Sequence, residues 1–186
     1  MERGITMSIK NSEYIKDKYT WQDLIAVVHK LRQPDGCVWD SAQTYESMCK
    51  CVIDEANEVV EAVQNKDCIN LREELGDLLL QVLMYSDMAA DRGDFTLEDV
   101  IDELAKKMVR RHPFVFGDET AISEELSDIT NQGVSIWNAI KLKEKINRLE
   151  EYKKLYKQGR ITGEQLKIQQ DKLEDFRRKI GIFNKN

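Results

Sequence analysis

The chain has 186 residues, of which 41% are hydrophobic and 33% charged, and its formal net charge is −6. That apolar share supports a core and argues against global disorder, while the length suits one domain with at most a modest appendage. Net acidity argues against a general nucleic-acid binder but leaves room for a nucleotide held through cations.

Four cysteines, at positions 37, 49, 51 and 68, accompany two histidines without any C-x-x-C pair or zinc spacing, so neither a disulfide framework nor a zinc site is expected. The opening MERGITMSIKNSEYIKDKYT lacks an apolar signal core, and no uninterrupted apolar run is long enough for a bilayer. The expectation is a soluble, cytoplasmic protein with no membrane partner. Both prolines sit between helical patterns and β-branched alternation is nearly absent, so the chain reads as all-α.

Residues 1–19 read as a flexible polar arm. Thr20 with Asp23 forms a capping-box signal for a helix through WQDLIAVVHKLR. QPDGCVWD follows as a turn-rich link carrying Trp39. A second helix starts at Ser41 or Thr44 and runs to about Asn65. Asp67 caps a third, over roughly 69–91, stopped at Gly93. Thr96 with Asp99 caps a fourth, which ends before Pro113. EELSDI suggests a short helix, and a long one then spans Ile136–Lys157 up to Gly159. Thr162 with Gln165 caps the last, whose apolar stripe is Leu166, Leu173, Phe176 and Ile180. Residues 146–186 thus read as a C-terminal helical hairpin, more basic than the body.

The second helix carries DEANEVVEAV and the third EELGD. Glu55 and Glu58 are three apart, as are Glu74 and Asp77, so each pair shares a helix face. Glu58 lies seven residues before Asn65 and Glu74 seven after Asp67, so antiparallel packing across the short NKDC link sets the pairs at similar heights. Gly76 between Glu74 and Asp77 leaves room for a backbone or ligand to approach. Four converging carboxylates repel one another and lose hydration, and a divalent cation relieves both. All-oxygen ligands select a hard ion, Mg²⁺ first and Mn²⁺ as a substitute. A di-iron site would ask for E-x-x-H pairs, which do not occur. Glu61 and Glu73 read as surface acids.

Lys107 and Arg111 stand four apart in KKMVRRHPFVF, and Trp137 and Lys141 four apart in WNAIKLKEK. Cations opposite a metal-bearing acidic face suit a polyphosphate. The plainer reading is that helix C-termini collect Lys and Arg and that Trp137 anchors a core. His112 can cap its helix or bond a phosphate, Trp39 can stack on a base or close the core, and His29 reads as a packed or surface histidine.

Taken in order, LRQPDGCVWDSAQTYES, DEANEVVEAV, EELGDLLLQVLMYSDMA, KKMVRRHPFVF and WNAIKLKEK resemble the MazG family of nucleoside triphosphate pyrophosphohydrolases. The resemblance covers residues 20–145 and implies an all-α helical bundle of the all-α NTP pyrophosphatase type. It also implies assembly as a homodimer or tetramer and Mg²⁺-dependent cleavage of NTPs or dNTPs to the monophosphate and pyrophosphate. Its metal motif E-x-x-E…E-x-x-D falls on Glu55, Glu58, Glu74 and Asp77, its basic residues on Lys107 and Arg111, and its W-x-x-x-K element on Trp137 and Lys141. Glu55, Glu58, Lys107 and Arg111 are then the candidate catalytic residues. Trp39, Lys107, Arg111, Trp137 and Lys141 are the candidate substrate contacts. Asp54 stands where the family has glutamate, Val38 where it has the proline of G-C-P-W-D, and Phe114 where it has the second histidine of R-H-P-H-V-F. The motif set occurs once. No residue specifies the base, so a narrow dUTP or dCTP pyrophosphatase stays an alternative, as does a non-catalytic helical module binding a structural cation.

Overall fold

The computed structural model describes residues 12–117, 127, 129–131 and 134–182, and every regular element among them is helical. The helices are α1 (Trp21–Arg32), α2 (Val38–Ser41), α3 (Tyr45–Asn65), α4 (Cys68–Arg92), α5 (Leu97–Arg111), α6 (Pro113–Phe116), α7 (Ile136–Lys157) and α8 (Gly163–Lys179). No described helix is long and apolar enough to cross a membrane. The chain divides into two compact units, one ending at Ile101 and the other beginning at Asp102.

Local chemistry explains most boundaries. Thr20 accepts from the Asp23 amide while the Asp23 carboxylate accepts from the Thr20 amide, closing a reciprocal cap on α1. Thr96 and Asp99 repeat the arrangement ahead of α5, and Thr162 and Gln165 ahead of α8. Thr44 caps α3 with Ser47 as its reciprocal partner, a serine standing in for the usual acid or amide. Of the expected arm, residues 1–11 lie outside the described residues. The rest is tied down: Ser12–Tyr14 forms a 3₁₀ turn, the Tyr19 hydroxyl donates to the Tyr14 carbonyl at 3.0 Å, and Lys16 pairs with Asp23 at 2.6 Å.

Two short helices were not legible as such. Within the expected link, α2 forms just after Gly36, where a Cβ would collide with the carbonyls of Lys30 and Leu31. Beyond Pro113, α6 makes a single turn with the proline in its first turn, where no amide is needed. The expected EELSDI helix falls largely outside the described residues.

In the first unit, α3 and α1 both pack against α4. Their core gathers Val28, Met48, Leu83, Met84, Met88 and Leu97, flanked by Leu24, Tyr45 and Tyr85. The Tyr85 hydroxyl donates to the Tyr45 carbonyl at 2.9 Å and binds α4 to the start of α3. His29 is a surface histidine, its Nδ1 2.8 Å from Asp87. Arg32 joins the same junction, with Nη2 2.7 Å from Asp91.

In the second unit, α7 and α8 form the expected hairpin. Leu142, Leu149 and Leu173 are its buried centre, with Ile146, Leu166, Phe176 and Ile180 packed around them. The expected stripe of α8 therefore faces α7. Gly159 sits at φ 68°, a left-handed conformation that ends α7 without a Cβ clash.

Candidate metal centre

The turn between α3 and α4 sets the height of the acids. Lys66 adopts a left-handed conformation at φ 56°, and the Asp67 amide donates back to the Ala62 carbonyl at 3.0 Å. Asp67 then caps α4, its carboxylate accepting from the amides of Ile69 and Asn70 at 3.0 Å each. A reversal this tight makes α3 and α4 antiparallel neighbours, and the acids at matching distances from it meet. Glu55, Glu58 and Glu74 each present a carboxylate oxygen within 4.8 Å of the others.

Glu74 lies among the leucines of α4 and is buried at 7% exposure. Glu55 is half-buried and Glu58 exposed. Burial first, then the charge and hydrogen bond of Glu58, and then Asp77 and Glu73 push the Glu74 carboxyl above its ordinary value. Glu55 is raised in the same direction by burial, Asp77, Glu58 and Asp54. Asp77 is half-buried and its charge acts on both glutamates, but it is not one of the three whose oxygens gather. Asp54 is engaged elsewhere, in an ion pair with Lys50 one turn back. Glu61 and Glu73 are exposed. At Gly76 a Cβ would meet nothing within 4 Å, so no neighbouring backbone among the described residues uses the space.

The donor set fits a hard cation. Three carboxylates crowd together and one of them is buried. Glu55, Glu58 and Glu74 would hold such a cation through their carboxylate oxygens.

Trp39 lies on α2 and is 59% exposed, so it does not close the core of this chain. Beyond the acids, α3, α4 and the start of α5 wall an open apolar groove of about 580 Å³, lined by Val52, Ile53, Leu78, Val82 and Phe95 among others.

The candidate cations lie in the second unit. Lys107 is half-buried and has no ion-pair partner among the described residues. Arg111 has one that the sequence did not reveal. Glu144 accepts from its Nε at 3.0 Å and its Nη2 at 2.5 Å, and also from Arg110 Nε at 2.8 Å. The guanidinium lies 5.3 Å from the Trp137 ring centroid, and Trp137 rests against His112 at 4.9 Å. The His112 Nδ1 sits 2.7 Å from the Met108 carbonyl, which can only accept, so that nitrogen carries the proton and His112 caps α5. Lys141 points to Phe176 instead, its Nζ 5.5 Å from the ring centroid. Glu144 was missed because only its position in WNAIKLKEK was visible, and nothing along the sequence pairs it with residues 110 and 111.

Comparison with known proteins identifies the acid-bearing helices. Residues 43–116 match the family model described as the MazG nucleotide pyrophosphohydrolase domain. Residues 43–116 are a MazG-family domain. The MazG domain contains Glu55, Glu58, Glu74, Asp77, Lys107 and Arg111, while Trp39, Trp137 and Lys141 lie outside the matched span. The chain is 45% identical over 113 residues to the nucleoside triphosphate pyrophosphohydrolase/pyrophosphatase MazG of Thermotoga maritima, covering 60% of this chain and 44% of that protein. It is 36% identical over 126 residues to the nucleoside triphosphate pyrophosphohydrolase of Escherichia coli K12, covering 67% and 46%. A further relative, the uncharacterized protein YabN of Bacillus subtilis, is 36% identical over 152 residues, covering 78% and 30%. The chain thus spans less than half the length of each of these relatives.

Proposed function

We propose that this chain is a Mg²⁺-dependent nucleoside triphosphate pyrophosphohydrolase, converting an NTP or dNTP and water to the monophosphate and pyrophosphate. The observation that carries the reading is the meeting of Glu55, Glu58 and Glu74 at one point inside the MazG domain.

In this reading Glu55, Glu58 and Glu74 hold the ion, with Asp77 completing the set. When bound, Mg²⁺ supplies Lewis-acid polarisation of the phosphate and lowers the pKa of a coordinated water. The chain's own residues do the rest. Burial around Glu74 removes competing solvent and makes the carboxylates hungry for a cation rather than for water. Glu55 and Glu58, half-buried and exposed, are the acids open to accept a proton from the attacking water. Within the second unit, Lys107, Arg111 and Lys141 are the cations that would offset phosphate charge, and the Arg111 guanidinium lies 5.3 Å from the Trp137 ring centroid. Glu144 occupies Nε and Nη2 of Arg111, leaving Nη1 as the edge for a phosphate oxygen.

Exposed Trp39 offers a stacking face that accepts several bases, which supports broad nucleotide-pool housekeeping over a narrow dUTP or dCTP enzyme. The apolar groove along α3 and α4, with Ile53, Val60, Leu75 and Val82 exposed, supports assembly as a homodimer or tetramer. A Mg²⁺-dependent pyrophosphate-release assay over canonical and modified NTPs and dNTPs tests the proposal. Metal binding with no release from any nucleotide would replace it with the non-catalytic module, and a steep preference for one pyrimidine would narrow it.

A further inference from the structure

Trp137, Lys141, Lys145 and Arg148 succeed one another on α7 at helical spacing, so their side chains form one line along one face. Lys172 stands one turn before Phe176 on the facing helix α8. The Phe176 ring faces the α7 lysines. The Lys141 Nζ is 5.5 Å and the Lys145 Nζ 5.3 Å from its centroid, so two ammonium groups share one small aromatic surface.

An aromatic face attracts cations but carries no net charge, so it orients these lysines without neutralising them. The carboxylates that could do so are committed elsewhere. Glu144 takes Arg110 and Arg111, Glu103 takes Arg148 at 3.3 Å, Asp171 takes Lys167 at 2.9 Å and Glu174 takes Arg177 at 2.9 Å. Among the described residues no carboxylate pairs with Lys141, Lys145 or Lys172. Partial burial lowers the Lys145 pKa, and the charges of Arg148, Lys141, Lys172 and Arg111 lower it further. Lys141 and Lys145 are half-buried and Lys172 is exposed, and cations held near one another without an anion make a place where an anion is favoured.

We propose that the α7–α8 hairpin binds a linear oligophosphate through Lys141 and Lys145, which meet over Phe176, and Lys172, one turn before that ring on α8. Lys141 and Lys145 stand on adjacent turns of α7, their Cβ atoms about 5–6 Å apart, an arrangement that suits an anion with successive charged groups. A long nucleic-acid backbone fits poorly, because Glu103, Asp171, Glu174 and Asp175 flank the lysines. The site shares Lys141 with the proposed substrate contacts, whereas Lys145 and Lys172 belong to the hairpin alone.

Isothermal titration of the full chain in EDTA, with tripolyphosphate, pyrophosphate and orthophosphate, tests the proposal. Tripolyphosphate is expected to bind, pyrophosphate more weakly and orthophosphate weakest. Lys145→Ala and Lys172→Ala should each weaken tripolyphosphate binding about tenfold, with unchanged circular dichroism. Lys172→Arg should retain binding, and Lys167→Ala, which removes an already paired cation, should leave it unaltered. Displacement of tripolyphosphate by ATP but not by adenosine would assign the site to the nucleotide's phosphate tail. Binding that ATP does not displace would assign it to a free oligophosphate. Failure of the wild type to bind tripolyphosphate overturns the proposal, and so does equal weakening by Lys167→Ala and Lys172→Ala. Because the titration contains no metal, absence of pyrophosphate release would sink the hydrolase reading and leave this result standing.

Discussion

Glu144 grips Arg111 through a single carboxylate oxygen that accepts from both Nε and Nη2, and the two side chains are only 18% and 17% exposed. Burial alone would raise the Glu144 pKa, but hydrogen bonds from Arg111 and Arg110 outweigh it and hold the carboxyl below its ordinary value. A depressed folded-state pKa means stabilisation present above the unfolded glutamate value and lost as pH falls through the folded one. Glu144→Gln keeps the shape and removes the charge. It should cost about 2 kcal/mol in urea unfolding at pH 7, with the deficit shrinking under strong acid. It should also raise KM for the nucleotide several-fold, because Arg111 loses its anchor. Unchanged stability at pH 7 would show that Arg110 and Arg111 do not depend on this carboxylate.

Removing one member of the acid cluster separates metal chemistry from folding. Glu58 is exposed, so Glu58→Gln should leave helicity and melting temperature nearly unchanged. Mg²⁺-dependent pyrophosphate release should fall at least about a hundredfold. Full activity in that variant would mean the three converging carboxylates are not the metal ligands.

The raised carboxyls of Glu55 and Glu74 predict a pH-dependent response to metal. For an acid raised in the folded state, stabilisation is complete below the unfolded value and is lost as pH rises through the folded value. Their charged forms therefore weaken the chain in EDTA above the ordinary glutamate value of 4.5. Mg²⁺ binds only the charged forms, so it should raise the melting temperature more at pH 8 than at pH 5. A thermal-shift series with and without EDTA checks this, and an equal Mg²⁺ effect at both pH values would contradict it.

Gly76 is exposed in mid-helix, with open space where a Cβ would stand. On propensity alone Gly76→Ala should stabilise the chain by about 0.4–1 kcal/mol, measured by urea unfolding. Stabilisation joined to loss of pyrophosphate release would place substrate or a second copy against that position. Stabilisation with activity intact would leave the glycine without a functional reason.

Much of the fold was legible because it is encoded locally. Thr20 with Asp23, Thr96 with Asp99 and Thr162 with Gln165 each close a cap within one turn, and Asp67 starts α4 by bonding the next amides. The encounter of Glu55 and Glu58 with Glu74 was legible for a related reason. A two-residue turn leaves antiparallel helices one register, so distance along the chain converts to height. The helical turns at Val38–Ser41 and Pro113–Phe116 were not legible, since four residues carry no period to read.

By itself the sequence determined the helical class, the caps and the pairing of acids across one hairpin, because these depend on neighbours within a turn or across a short link. Only the tertiary structure decided that Glu74 is the buried acid and that Trp39 stays exposed. It also decided that Glu144 takes Arg111, and that Lys141 and Lys145 meet over Phe176. Those outcomes depend on which side chains distant in sequence reach the same place, and no periodicity along a single helix encodes that.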